Sequence, residues 1–167
     1  RIVSPERRLW AFDTFLGERP KSTEAIDSRP ALEAYRHDGP QGVEAFAEHC
    51  EGLGVPRGAY TAVEGYFDDT LPPLGPDQPP NDIALAYVDC NLYSSTVTVL
   101  EFLAPRLKHG MIVAFDDYWV YKPGFVSGER RALHEFEQAH PEWTFVPYRS
   151  IYHAGEAYVV EASDALG

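Results

Sequence analysis

A chain of 167 residues, 44% hydrophobic and 13% aromatic, has the length of a single domain and enough apolar mass for a core, which excludes a wholly disordered protein. Fourteen basic against 26 acidic side chains leave a formal charge of −12, a surface that repels phosphate backbones and anionic lipid and argues against a general nucleic-acid or membrane binder. The longest strongly apolar run, Ile83 to Val88, is far too short for a bilayer, and two cysteines, Cys50 and Cys90, form neither a disulfide framework nor a zinc-ligand set, so a reducing, cytoplasmic setting is expected.

Leu9 to Phe12 is a short apolar run ending in Asp13 and predicts a strand. The polar stretch Lys21 to Pro40 predicts loop, with a helical turn around Ala31 to Tyr35. Val43, Phe46, Ala47, Cys50 and Leu53 fall at helical spacing, and Gly54 follows as a stop. Tyr60 to Glu64 predicts a second strand. The Pro- and Gly-rich run Leu71 to Pro80 reads as a stiff surface loop. Ile83 to Val88, continuously apolar, predicts a strand buried on both faces of a parallel sheet. A helix to about Leu107 follows, with Ser94, Ser95 or Thr96 as its cap. Gly110 introduces a strand from Met111 to Phe115, and Gly128 to His140 predicts another helix. Thr144–Pro147 and Ala157–Val160 predict a late hairpin turning at Ala154-Gly155. This alternation implies an α/β domain spanning residues 1–167, with a mostly parallel sheet, helices on both faces and a C-terminal antiparallel hairpin. Ligands in such sheets bind beyond the carboxyl ends of the strands.

Three of these strands end in acid: the first in Asp13, the Ile83–Val88 strand in Asp89, the Met111–Phe115 strand in Asp116-Asp117. A single Asp after a strand commonly caps a helix or forms a turn. An Asp-Asp pair after a buried strand is less readily explained that way. Neighbouring strands lie roughly 4.8 Å apart. If the last two are adjacent, Asp89 and the pair converge, and three carboxylates held that close repel one another unless a cation sits among them. Oxygen-only ligands suit a hard dication, Mg²⁺ or Ca²⁺, over zinc.

The segment Tyr87-Val88-Asp89-Cys90-Asn91-Leu92-Tyr93-Ser94-Ser95-Thr96 resembles the V-D-x-D-L-Y-x-S-T signature of the TylF/MycF (macrocin-type) O-methyltransferases. Four more stretches resemble that family in order. Ala11 to Gly17 is similar to D-S-F-x-G, Glu64 to Pro72 to G-x-F-x-D-T-L-P, Leu103–Leu107 with Gly110–Tyr118 to P-R-L-x-x-G-G-x-I-x-x-D-D-Y, and Gly128 to Phe136 to G-x-R-x-A-x-x-E-F. The resemblance implies a class I methyltransferase fold, S-adenosylmethionine as methyl donor, and Mg²⁺ or another hard divalent cation assisting transfer to a hydroxyl of a small molecule, a sugar or natural product. It also implies roles. Asp89, Asp116 and Asp117 hold the metal. Asp13 holds the cofactor's ribose hydroxyls, with Thr14 and Phe15 in the same cofactor-binding segment. Gly65, Tyr66 and Phe67 lie near the adenine. A metal chelating two adjacent substrate oxygens lowers the pKa of one and fixes its direction, and Asp89 can serve as ligand and base.

The chain departs from the pattern at several points. Asn91 stands where the family commonly has an acid: a supporting position would leave the site intact, a ligand position would cost it a charge. Met111 replaces a usual Gly, and Leu92 stands near where catechol O-methyltransferases carry a lysine. His109 and His153 are spare bases or plain surface histidines. Tyr118, Trp119 and Tyr121 read equally as an acceptor-pocket wall or as core packing. Arg130 and Arg131 read as solvent-facing charges rather than partners of the acids. Class I enzymes place a glycine-rich loop after a first strand, whereas Leu9–Phe12 corresponds to the second, and residues 1–8 contain no Gly. Omitting that mid-sheet strand would leave interior edges unpaired, so a further segment or another subunit is expected to fill the slot. A homo-oligomer is compatible with this. Two other functions compete: a binding module that has lost its cofactor loop, and a phosphohydrolase of the haloacid-dehalogenase type. The second wants an Asp two residues after its nucleophile, where Asp89-Cys90-Asn91 has none.

Overall fold

The computed structural model describes residues 7–16, 26–27, 41–120 and 126–166. Contacts group these into two compact units, residues 7–16 with 41–73, and residues 26–27 with 74–120 and 126–166. In the first unit β1 (Leu9–Asp13) runs parallel to β2 (Tyr60–Glu64), with Asp13 opposite Glu64. Helix α1 (Val43–Gly52) follows Gly42 and stops before Gly54, which sits at φ 79°, the left-handed geometry a glycine stop supplies. Its Phe46 ring lies 4.9 Å from Phe15 and 5.5 Å from Tyr60. A single turn, α2 (Phe67–Thr70), follows β2 and is too short for any apolar period to reveal. The predicted loop over Lys21 to Pro40 and its turn at Ala31 to Tyr35 lie outside the described residues, apart from a turn at Ile26-Asp27.

In the second unit β3 (Leu85–Val88) pairs parallel with β4 (Ile112–Phe115). The antiparallel hairpin β5 (Trp143–Ile151) and β6 (Gly155–Ala162) adds to β4 in the order β3-β4-β6-β5. Helices α3 (Tyr93–Leu103) and α4 (Gly128–Ala139) pack on one another and share one core with the sheet. Leu100, Leu103, Leu133 and Phe136 meet Val88, Val113, Phe115, Tyr158 and Val160 there. The parallel pairs and the C-terminal hairpin make this the expected α/β architecture. Among the described residues the strands form two sheets, β1-β2 and β3-β4-β6-β5, and the further strand expected from the resemblance is not among them.

Two expectations change. β3 is not buried on both faces, because Ala86 and Val88 turn to the core while Leu85 and Tyr87 are more than half exposed. None of Ser94, Ser95 or Thr96 caps α3. The helix starts at Tyr93, and the Asp27 carboxylate accepts from the amides of Tyr93 (2.7 Å) and Ser94 (3.2 Å), a cap supplied from 66 residues away. The Thr96 hydroxyl instead donates back to the Leu92 carbonyl.

Residues 74–80 of the Pro- and Gly-rich loop are tied down by Arg106, buried at the end of a 3₁₀ turn (Ala104–Arg106). Its guanidinium donates to the carbonyls of Leu74, Gly75 and Pro80 and to that of Phe102 in α3. Arg106→Met leaves these carbonyls without a charged donor and is expected to lower unfolding free energy by about 2–3 kcal/mol, read as a shifted urea midpoint. No helix among the described residues is long and apolar enough to cross a membrane.

Candidate functional site

Parallel pairing sets Val88 opposite Phe115, so the residues that follow, Asp89 and the pair Asp116-Asp117, leave the sheet side by side. One carboxylate oxygen from each of the three lies within 4.8 Å of the others. The convergence expected from two adjacent strand ends is therefore present. Exposure is graded: Asp89 is exposed, Asp116 half-buried and Asp117 buried. This set of carboxylate oxygens fits a hard dication, with its open side at Asp89.

Four side chains bond to the cluster or to the turns that carry it; a supporting position was one of two readings of Asn91, and the sequence assigned no such task to Tyr87, Tyr152 or Glu129. The Tyr87 and Tyr152 hydroxyls each donate to one oxygen of Asp116, and Tyr152 also to its carbonyl (2.9 Å). Burial, then the hydrogen bond to Asp116 and its charge, raise both phenols above their ordinary range, so they stay protonated donors. The Asn91 amide donates to Asp117. An acid at 91 would face Asp117 with a second negative charge and no proton to share. Asn91 thus supports a ligand, and its φ of 56° is a left-handed conformation that Asn tolerates. Glu129, fully buried, accepts from the amide of Cys90 through one oxygen (3.3 Å) and from that of Asp117 through the other (2.9 Å). Burial first, and then the charge of Asp117, push its carboxyl upward, while the two backbone amides that donate to it favour the ionised form.

The signal that would have found Glu129 is helical spacing. It lies three, four and seven residues before Ala132, Leu133 and Phe136, so it is a charge on α4's apolar face. Gly128, next to it, lets the helix approach closely: a Cβ there would stand 2.6 Å from the Tyr93 nitrogen.

In the first unit, Asp13 ends β1 and Thr14 and Phe15 follow it, while Gly65, Tyr66 and Phe67 follow β2, so both segments leave the same end of a parallel pair. One Asp13 oxygen accepts from the Phe15 amide (2.7 Å) and the Thr14 hydroxyl (3.4 Å), an Asx turn that fixes the segment. The Gly65 amide donates to the Asp13 carbonyl (2.9 Å). Gly65 sits at φ 140°, where an added Cβ would lie 2.8 Å from Thr70 Cγ2.

The remaining candidates fall into place by contact. Tyr118 packs on Phe115 and Tyr158 in the core, while Trp119 is nearly half exposed and donates to Glu156. Tyr121 lies outside the described residues. Arg130 stacks over Trp119, and Arg131 pairs with Glu135 and lies over Tyr93. His109 Nδ1 accepts from the Ala162 amide, and the exposed His153 rests against Tyr152.

The described fold has counterparts among known proteins. A 4'-O-methyltransferase of Streptomyces olivaceus acting on 8-demethyl-8-(2,3-dimethoxy-alpha-L-rhamnosyl)-tetracenomycin C is 32% identical over 78% of this chain and 47% of its own length. The mycinamicin III 3''-O-methyltransferase of Micromonospora griseorubida is 27% identical over 81% of this chain and 51% of its own. The chain thus spans about half the length of the curated relatives it matches. The solved O-methyltransferase NovP superposes with a TM-score of 0.71 at 23% identity, covering 92% of this chain and 60% of that one, which shows a shared fold. The family model for macrocin-O-methyltransferase (TylF) matches residues 2–144. With most of its length under that model and two O-methyltransferases among its relatives, the chain belongs to the TylF macrocin-O-methyltransferase family.

Proposed function

We propose that this protein is an S-adenosylmethionine-dependent, Mg²⁺-assisted O-methyltransferase acting on a hydroxyl of a small molecule, a sugar or natural product. The observation that carries the reading is the convergence of Asp89, Asp116 and Asp117 at neighbouring strand ends in a chain of this family. Asp116 and Asp117 are the fixed ligands, the first oriented by two phenols and the second by the Asn91 amide. A dication held there would act as a Lewis acid on acceptor oxygens and lower the pKa of the reacting hydroxyl. Asp89, the exposed member, is both the third ligand and the carboxylate that takes the hydroxyl proton. S-adenosylmethionine would supply the methyl group from its sulfonium. Asp13, Thr14 and Phe15 bind its ribose side, and Gly65, Tyr66 and Phe67 bound its adenine. Their shared position at the carboxyl ends of β1 and β2 supports that assignment. Both described units then belong to one methyltransferase-like domain, in a cytoplasmic setting that suits two cysteines held as thiols rather than as a disulfide. The relatives' rhamnosyl-tetracenomycin and mycinamicin acceptors support a glycosylated or polyhydroxylated substrate rather than nucleic acid, as does the charge of −12.

Calorimetry on the full-length protein tests this reading. S-adenosylmethionine is expected to bind, and methyl transfer from labelled cofactor to a glycosylated acceptor is expected to stop on chelation and return with Mg²⁺. Absence of cofactor binding ends the methyltransferase reading. Turnover indifferent to chelation ends the metal reading alone.

A further inference from the structure

The mechanism above makes no use of the fully buried Glu129. A carboxylate on the apolar face of a helix costs several kcal/mol unless its oxygens are well satisfied. Here each oxygen accepts a backbone amide from a different turn: Cys90, immediately after Asp89, and Asp117 itself. These amides lie 39 and 12 residues away in sequence and belong to the turns that end β3 and β4. α4 carries Glu129 in its first turn, where the helix dipole favours a carboxylate, and the Ser127 hydroxyl caps that turn by accepting from the Arg130 amide (3.1 Å). The helix cannot slide away from the turns without losing Gly128's close approach to Tyr93. Each carboxylate oxygen accepts one amide, and the oxygens that gather at the candidate metal position are those of Asp89, Asp116 and Asp117, not of Glu129. It bridges the two backbone turns whose side chains face each other across the candidate metal position.

We infer that Glu129 is a positioning residue: by tying the amides of Cys90 and Asp117 to the start of α4, it holds Asp89 and Asp117 at the spacing a shared dication requires. This rests on the metal reading given above. Supporting groups of this kind commonly change metal affinity about 10- to 100-fold when replaced. Glu129→Gln keeps the shape but retains one acceptor oxygen, turning an NH₂ toward the second amide. The test uses full-length protein and Mn²⁺ alone as probe, followed by electron paramagnetic resonance and calorimetry, with Asp117→Asn alongside.

Wild type is expected to bind Mn²⁺ saturably, Asp117→Asn to lose that binding, and Glu129→Gln to bind about 10- to 100-fold more weakly with an altered bound-Mn²⁺ line shape. Glu129→Gln binding Mn²⁺ as tightly as wild type overturns the inference while leaving the metal reading standing, even if the variant melts earlier. No binding by wild type overturns both. A separate measurement covers a variant that fails to fold. In metal-free wild-type protein, hydrogen exchange at the Cys90 and Asp117 amides should be protected to a similar extent, as two donors on one carboxylate. Free exchange at Cys90 beside a protected Asp117 means there is no bridge, and the inference falls.

Discussion

Asp117→Asn in the full-length protein is expected to lower methyl-transfer turnover about 100- to 1000-fold with the fold intact. A dication's Lewis-acid contribution is several kcal/mol, and each 1.36 kcal/mol is about tenfold in rate. The substitution is chosen for what it preserves. Asparagine still offers an oxygen to the Asn91 amide, and the bond from the residue 117 amide to Glu129 is untouched because it is backbone. What is lost is one negative charge and one ligand oxygen. Near-ultraviolet dichroism and the melting midpoint should stay close to wild type while turnover falls. Chelation should reduce wild type to the variant's level and affect the variant little further. Asp116→Ala is expected to behave alike in turnover, with two phenols released from their acceptor. Unchanged turnover in both variants would count against the metal assignment.

The acid cluster was legible in the sequence because its cause is local. An apolar run fixes a strand, an acid directly after it fixes the strand end, and parallel neighbours bring such ends together. β2 matches its predicted bounds, and β1, β3, β4 and α4 differ by one or two residues at an end, where hydrogen bonding rather than apolarity decides. The supporting shell was hidden for the opposite reason. Tyr152 reaches Asp116 across 36 residues, Asn91 reaches Asp117 across 26, and Asp27 caps α3 across 66. No period or turn motif encodes such pairings. Exposure of Leu85 and Tyr87 was missed because a continuous apolar run carries no face preference, whereas in this unit α3 and α4 both feed the core on the side of Ala86 and Val88. Asn91 was legible as a departure from the motif but not in its meaning, since only the structure shows the amide facing Asp117.

Gly128→Ala and Gly52→Ala are expected to change stability in opposite directions, although both glycines lie in helices. Alanine in place of a helical glycine ordinarily gains up to about 1 kcal/mol through reduced chain entropy. At Gly52, in the last turn of α1, an added Cβ meets nothing within 4 Å, so that gain should appear as a raised urea midpoint. At Gly128 the same methyl group would stand 2.6 Å from the Tyr93 nitrogen, 3.0 Å from its Cα and 3.2 Å from the Asn91 carbonyl oxygen. All three are backbone atoms at the start of α3, which cannot rotate aside as a side chain would. α4 must therefore back away, at an overpacking cost of about 1–3 kcal/mol that outweighs the entropic gain. The displacement has a chemical consequence as well. The helix that moves carries Glu129, and the turn it presses on carries Asn91, so the supports of Asp89 and Asp117 loosen together. Turnover in Gly128→Ala should fall by more than its stability loss accounts for, with Mg²⁺ needed at higher concentration to saturate. Equal and favourable shifts in both variants would show that the contact between α4 and the Asn91–Tyr93 turn does not constrain the protein in solution.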